Sequence, residues 1–198
     1  MKRSSLIALA LALGCGLPPQ SDEPPHARAA IIGGDLTDTL PAVVLLISYP
    51  QDRSTFKTCT ASVVAPKVLL TAAHCIDAPS HAGETFGVFT GADASSYPTA
   101  ATLVPHLTPV KALHVHPSYV ASPPFTADIG VVELDAELAA APLKVSLKPL
   151  DASFVGQAAR IAGYGQRMYQ QFNARRAVAT TGIAAVGTDT VQVGDSTH

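Results

Sequence analysis

The chain has 198 residues, of which 47% are hydrophobic and 14% are charged, and its formal net charge at neutral pH is −2. This composition supports a packed core and excludes a chain that is disordered over most of its length. The small negative charge argues against binding of nucleic acid through a basic face, so we expect no nucleic-acid partner. Sixteen prolines and fourteen glycines favour short elements joined by turns.

The N-terminal segment has the pattern of an export signal. Lys2 and Arg3 precede an apolar run from Leu6 to Leu13, which predicts a signal peptide over residues 1–14. Residues 15–30 are rich in proline and polar residues and have no apolar period, so we predict a linker or propeptide there. We therefore expect the protein to be exported.

The end of this signal resembles that of a bacterial lipoprotein, in which a cysteine becomes the lipidated first residue. The residues Ala12-Leu13-Gly14-Cys15 carry the resemblance. It implies a lipid on Cys15, which would anchor the protein to a membrane of the bacterial cell envelope. The alternative is ordinary signal cleavage, which would discard Cys15 and release a secreted protein.

Nine segments downstream have the apolar content and turn boundaries of short β-strands. Six precede residue 140: Ala42–Ser48, Thr58–Ala65, Val68–Ala72, Thr85–Gly91, Val110–His116 and Asp128–Leu134. Three follow it: Phe154–Ala162, Arg175–Val186 and Thr190–Val193. Six short strands suit a closed antiparallel barrel, and three are about half of a second one. We predict an all-β fold with an N-terminal barrel over residues 31–140 and a partial C-terminal barrel over 141–198.

Two of these segments carry residue types used in acyl transfer. His74 lies shortly after the strand candidate Val68–Ala72, and Asp128 is the first residue of the strand candidate Asp128–Leu134. A histidine can act as a general base because its ordinary pKa lies near neutrality. A carboxylate can hold such a base in its working tautomer. Taken alone, Asp128 would more readily suit a turn residue before a strand, where aspartate is common.

Taken in order, the motifs of this chain resemble those of the trypsin/chymotrypsin-like serine protease family. The matching segments are Ile31-Ile32-Gly33-Gly34, Thr71-Ala72-Ala73-His74-Cys75, His116-Pro117-Ser118-Tyr119, Asp128-Ile129-Gly130-Val131-Val132-Glu133-Leu134 and Ala162-Gly163-Tyr164-Gly165. In the last of these, tyrosine stands where the family usually has tryptophan. The histidine loop is the most specific segment, and the shared order of all five strengthens the resemblance.

The resemblance implies a trypsin-like double β-barrel and a role for each matching residue. His74 would be the general base, Asp128 its orienting carboxylate, and Ile31 the N-terminus of the mature enzyme. Cys59 and Cys75 would form a disulfide that ties the histidine turn to the strand before it. The implied activity is serine-type endopeptidase action on protein or peptide substrates through an acyl-enzyme, by a monomer with no cofactor and no metal.

The serine segment of the family does not occur in the sequence as it stands. There is no Gly-Asp-Ser-Gly-Gly-Pro, and Ser196, the only serine in a Gly-Asp-Ser context, is followed by Thr197 and His198. We interpret Ser196 as a turn residue, and we expect the 198-residue chain, truncated before this motif, to be inactive. The alternative is a non-catalytic pseudoprotease that acts as a secreted or surface binding module. The intact histidine and aspartate favour a truncated protease, whereas the early stop favours the binding module.

The other histidines are expected to have no part in the chemistry. His114 and His116 alternate, so they would share one strand face, but no neighbouring cysteine or carboxylate in the sequence completes a metal site. The remaining four lie in polar or proline-rich stretches and are expected to be solvated: His26, His81, His106 and His198.

Overall fold

The computed structural model describes residues 31, 34–122, 126–165, 174–188 and 190–194. Within these residues, the strands are β1 (Asp35–Leu36), β2 (Val43–Pro50), β3 (Lys57–Ala65), β4 (Val68–Thr71), β5 (Glu84–Phe89), β6 (Thr108–Val115), β7 (Gly130–Leu134), β8 (Ala158–Gly163), β9 (Ala177–Val186) and β10 (Val191–Val193). The helical segments there are α1 (Ala100–Leu103) and 3₁₀ turns over Ala73–Cys75, Val104–His106 and Ala152–Phe154. None of the helices in this described part is long and apolar enough to cross a membrane.

Strands β2 to β7 close into an antiparallel barrel with the order β2-β3-β4-β7-β6-β5. They are the six strands that the sequence predicts before residue 140, and their ends differ from the predicted ones by about two residues or fewer. Closure pairs every barrel strand on both sides, so the barrel itself has no open edge. The predicted all-β fold with a complete first barrel is confirmed.

Strand β2 lies at the centre of the core because both of its faces are buried. Side chains alternate between the two faces of a strand. Val44 and Leu46 belong to the hydrophobic cluster inside the barrel. Leu45 and Ile47 belong to a second cluster outside it, which contains Tyr164 from the second half of the chain. The second cluster therefore packs the barrel against the second half.

The second half forms a smaller antiparallel sheet in which β9 pairs with β1, β8 and β10. Strand β8 begins at Ala158, later than predicted, because a 3₁₀ turn and a turn at Gly156 with a φ of 84° precede it. Strand β1, which the sequence does not predict, pairs Asp35 with Val178 and ties the N-terminal segment to β9. This sheet is the partial second barrel of the fold. The domain boundary at residue 140 stays a prediction.

Candidate active site

His74 lies in the 3₁₀ turn that directly follows β4. Strand β4 ends at Thr71, and the turn spans Ala73–Cys75. Cys75 forms a disulfide with Cys59 on β3, with the two Cα atoms 6.1 Å apart. The predicted bridge is therefore present, and it fixes the chain immediately after His74 to the barrel wall. Closing a loop of this size stabilises a fold by about 3 kcal/mol.

Asp128 lies two residues before β7. Strand β7 is the neighbour of β4, the strand that leads to His74. Strands β4 and β7 are antiparallel partners, with Thr71 opposite Gly130, so the end of one strand meets the start of the other. A Cβ atom at Gly130 would lie 2.7 Å from Ile76 Cδ1 and 3.1 Å from the carbonyl oxygen of Ala72. The close approach of the two segments therefore depends on glycine at this position.

The carboxylate of Asp128 binds His74 through both of its oxygens. Oδ2 lies 2.7 Å from the ring atom Nδ1, and Oδ1 accepts a hydrogen bond from the backbone N–H of His74 at 2.9 Å. The side chains are 52% and 27% exposed for His74 and Asp128, so the pair faces solvent at the barrel surface. A carboxylate accepts only, so Nδ1 carries a proton and Nε2 carries the basic lone pair. The structure brings together the two residues that the sequence predicts as base and orienting carboxylate.

Tyr119, from the His-Pro-x-Tyr segment, lies close to the carboxylate side of this pair. The segment is anchored to the aspartate loop because the His116 backbone N–H donates to the carbonyl of Ile129 at 2.9 Å. Burial raises the pKa of Tyr119, and the negative charges of Asp77 and Asp128 raise it further. The phenol therefore stays neutral beside the aspartate.

His81 was expected to be solvated, and this expectation is wrong. Its side chain is only 9% exposed. Nδ1 lies 2.7 Å from Glu84 Oε2 and 3.0 Å from Ser48 Oγ, and Nε2 lies 3.4 Å from the carbonyl oxygen of His74. The loop between the histidine turn and β5 folds this polar stretch against β2. The three-residue spacing of His81 and Glu84 is the one sequence signal that could have revealed the pair.

His114 and His116 do not converge on a common site. His114 Nε2 lies 3.1 Å from Glu133 Oε1 on the neighbouring strand β7, a pairing that the sequence alone does not reveal. His116 lies beyond the end of β6, and its Nδ1 accepts a hydrogen bond from the backbone N–H of Ser118 at 3.2 Å. The two side chains therefore have separate partners. His106, in contrast, is exposed as expected and stacks near Tyr97.

Three potential ligand atoms of the described residues do lie close together at the histidine turn. Atoms of Cys59, His74 and Cys75 lie within 4.8 Å of one another. Both sulfurs are used in the disulfide, so neither is a thiolate that could bind a metal. This group of atoms is explained by the bridge and the histidine beside it.

Ile31, the predicted mature N-terminus, is buried at 5% exposure. Its carbonyl oxygen accepts a hydrogen bond from the backbone N–H of Gly34 at 3.0 Å. Its role as a new N-terminus stays a prediction. Cys15, the candidate lipidation site, and Ser196 lie outside the described residues.

A closed antiparallel barrel with a histidine–carboxylate pair on adjacent strand ends, followed by a second antiparallel sheet, defines the class of trypsin-like proteins. The solved structure of GrC has a TM-score of 0.64 and 20% identity, over 84% of this chain and 76% of that one. Neuropsin, a serine protease expressed in the limbic system of mouse brain, has a TM-score of 0.62 and 21% identity, over 84% and 75%. At this level of sequence identity, the structural similarity to these two proteins shows a shared fold.

The family itself follows from the sequence match. The family model described as Trypsin matches residues 40–193, so this chain belongs to the trypsin family. No curated protein sequence matches the chain significantly. The matched range includes both His74 and Asp128.

Proposed function

We propose that the protein is a serine-type endopeptidase in which His74 is the general base and Asp128 its orienting carboxylate. The observation that carries the proposal is the two-point binding of His74 by Asp128, at 2.7 Å to the ring and 2.9 Å to the backbone. A single hydrogen bond would leave the ring free to pivot about it. Two bonds from one carboxylate define both the tautomer and the ring direction, as general-base catalysis requires.

The chemistry of such a site follows from where the protons lie. Nε2 of His74 would take the proton of a serine hydroxyl while the serine oxygen attacks the carbonyl carbon of the peptide bond. The resulting imidazolium would be stabilised by Asp128 and would then protonate the leaving amine, giving an acyl-enzyme. Water, activated by the same histidine, would release the acid product. The substrates proposed are proteins or peptides, and these steps use no cofactor.

The nucleophile is the part of the mechanism that the described residues do not supply. Ser196 lies outside them, and its flanks, Asp195 before and Thr197 after, only partly match the family pattern. The fluorophosphonate test below is therefore designed to identify the nucleophilic serine and does not assume it. The competing function is a binding module that keeps the barrel without the chemistry.

The test is labelling by a fluorophosphonate, which reacts with an activated serine. The protein is expressed from the complete reading frame of its gene, and labelling is compared in His74→Ala and in the matched control His114→Ala. We expect labelling of the parent and control and its loss in His74→Ala. A folded protein that takes up no label would contradict the proposal and favour the binding module. Loss of label in Ser196→Ala would identify Ser196 as the nucleophile, against its interpretation as a turn residue.

We further propose that the protein is exported as a monomer and anchored to the cell envelope by a lipid on Cys15. The support is the basic start at Lys2 and Arg3, the apolar run after it, and the cysteine at the end of that run. Metabolic labelling with a fatty-acid probe tests the anchor. We expect label in the parent protein and none in Cys15→Ser. Label that persists in Cys15→Ser would show that the lipid is elsewhere.

A further inference from the structure

A buried polar network lies directly behind the histidine turn. His81 and Glu84 are its centre, with side chains 9% and 13% exposed. Ser48 on β2 contacts His81 Nδ1 at 3.0 Å, and Lys57 on β3 lies 2.8 Å from Glu84 Oε1. Lys57 also donates to the carbonyl of Ser80 at 2.8 Å. Three strands of the barrel, β2, β3 and β5, and the loop after the histidine turn therefore all contribute to one network.

The ionisation state of Glu84 defines the direction of these bonds. Burial alone would raise its pKa, but hydrogen bonds from Lys57, Ser48 and His81 outweigh burial and bring the pKa of Glu84 to about 2. Glu84 is therefore a carboxylate that accepts only. The Nδ1 atom of His81, 2.7 Å from Glu84 Oε2, must carry a proton.

The second ring nitrogen of His81 faces another pure acceptor. Nε2 lies 3.4 Å from the carbonyl oxygen of His74. With a neutral ring protonated on Nδ1, two lone pairs would face each other there. A hydrogen bond at this position requires a proton on Nε2 as well, which makes His81 an imidazolium paired with Glu84. Both bonds of His81 can therefore exist together only in its protonated form.

The charged groups around His81 are compatible with that form. Glu84 is its counter-ion, and Lys57 contacts the other oxygen of the same carboxylate rather than the ring. Asp77, the second carboxylate of this loop, accepts a hydrogen bond from Ser80 Oγ at 2.9 Å. From β5, the Phe86 ring packs against the imidazole with centroids 5.3 Å apart.

The carbonyl that His81 faces belongs to the residue proposed as the general base. The N–H of His74 is held by Asp128 Oδ1, and its C=O faces His81 Nε2. A small pocket of about 20 Å³, room for one water molecule, lies beside the imidazole and is lined in part by Ser48, Cys75 and His81.

We propose that His81 is a positioning residue for the base His74: protonated on both nitrogens and paired with Glu84, it donates to the His74 carbonyl and so holds the turn from behind. The inference deepens the proposed peptidase function, because a turn held at both its N–H and its C=O orients the ring for proton transfer. A displacement of about 1 Å at such a base costs on the order of 100-fold in rate.

The test uses the one His–Cys step in the sequence, His74–Cys75. Protein labelled with ¹³C at histidine carbonyls and ¹⁵N at cysteine gives a single carbonyl–amide NMR peak, which reports the His74 carbonyl alone. We expect His81→Leu, which cannot donate a hydrogen bond, to move this carbonyl peak away from its position in the parent protein. His81→Gln, whose amide can donate, should move it less, and the control His114→Gln should leave it in place.

Rates of fluorophosphonate labelling give the functional half of the test. We expect His81→Leu to slow labelling by about tenfold to a hundredfold, with His81→Gln in between. If a His81 variant fails to fold, Glu84→Gln replaces it, and loss of the counter-ion of the His81 imidazolium should move the same carbonyl peak. A His74 carbonyl peak that stays in place when the His81 donor is removed would overturn the positioning role even if labelling proceeds. The NMR result needs no nucleophile, so failure of the peptidase proposal would be recognised separately.

Discussion

Arg176 donates a hydrogen bond from Nη1 to the hydroxyl oxygen of Tyr164 across 3.4 Å, in the buried layer between the barrel and the second sheet. The same Nη1 donates to the carbonyl of Val43 on β2 at 2.9 Å, and the Tyr164 hydroxyl donates to the carbonyl of Gly91. Burial raises the pKa of Tyr164, although the adjacent Arg176 opposes this effect. The two side chains thus join the barrel to the half of the chain that would complete the site.

Replacing Arg176 should destabilise the fold more than replacing Tyr164. Arg176 is 3% exposed and also donates to the carbonyls of Thr37 and Asp38. Arg176→Met removes the buried hydrogen bond to Val43 and the two part-buried ones to Thr37 and Asp38, and we expect the free energy of unfolding to fall by about 3 kcal/mol. Tyr164→Phe removes one hydroxyl and should cost about 1 kcal/mol. Urea unfolding measures both changes.

The control for the arginine change is Arg160→Met, at an exposed position of β8. Surface substitutions of this kind usually change stability by about 0.5 kcal/mol or less. Equal losses in Arg176→Met and Arg160→Met would show that the buried hydrogen bonds contribute little.

Local patterns in the sequence predict most of the barrel and the pair at its surface, whereas contacts between distant residues are not predicted. His74 and Asp128 were identified because each has a distinctive motif around it. His81 has no such motif, and its contact with Ser48 spans 33 residues. Arg176 reaches Val43 across 133 residues, which no periodicity encodes. Residues that act through long-range hydrogen bonds become visible only once the fold is known.

Asp128→Asn should almost abolish the reaction with fluorophosphonate while leaving the fold intact. An amide can donate to Nδ1 of His74 and so stabilises the wrong tautomer, with the proton on Nε2. We expect labelling to slow by about 10⁴-fold, because the same change at the aspartate of a serine-protease triad lowers kcat by about that factor. Urea unfolding of the same variant serves as the fold control. Labelling within tenfold of the parent would contradict an orienting role for Asp128.

Glu84 should make the protein less stable in acid over a defined pH window. Its pKa is lowered from 4.5 to about 2 in the fold, where bonds from Lys57, Ser48 and His81 outweigh the effect of burial. Because the folded-state pKa is the lower one, its contribution is present above about pH 4.5 and is lost as the pH falls towards 2. Glu84→Gln should therefore flatten the fall in unfolding free energy over this window. The matched control Glu137→Gln, at an exposed position, should retain the parent slope.

The disulfide should contribute mainly to stability, and through it to the site. Replacing both Cys59 and Cys75 by serine opens a loop whose ends are 16 residues apart. We expect the free energy of unfolding to fall by about 3 kcal/mol. Urea unfolding of the double variant, compared with Cys15→Ser, measures this effect. A reduced parent protein as stable as the oxidised one would show that the bridge is dispensable.

Gly130→Ala should disturb the contact between the two strand ends that carry the proposed base and its carboxylate. The added Cβ would lie 2.7 Å from Ile76 Cδ1 and 3.1 Å from the carbonyl oxygen of Ala72. The Ile76 side chain can move, but the Ala72 backbone belongs to the histidine turn, so relief of the clash displaces that turn from Asp128. We expect a loss of about 1–3 kcal/mol in unfolding free energy, typical of overpacking.

The control Gly182→Ala separates this clash from the general effect of adding a methyl group to a strand. A Cβ at Gly182 meets no atom within 4 Å, so this variant should change stability by about 0.5 kcal/mol or less. Its amide spectrum should also keep the His74 signals, whereas Gly130→Ala should move the His74 amide because its bond to Asp128 Oδ1 is stretched. If Gly130→Ala leaves that amide unmoved, the close packing of β4 and β7 is not what holds His74 against Asp128.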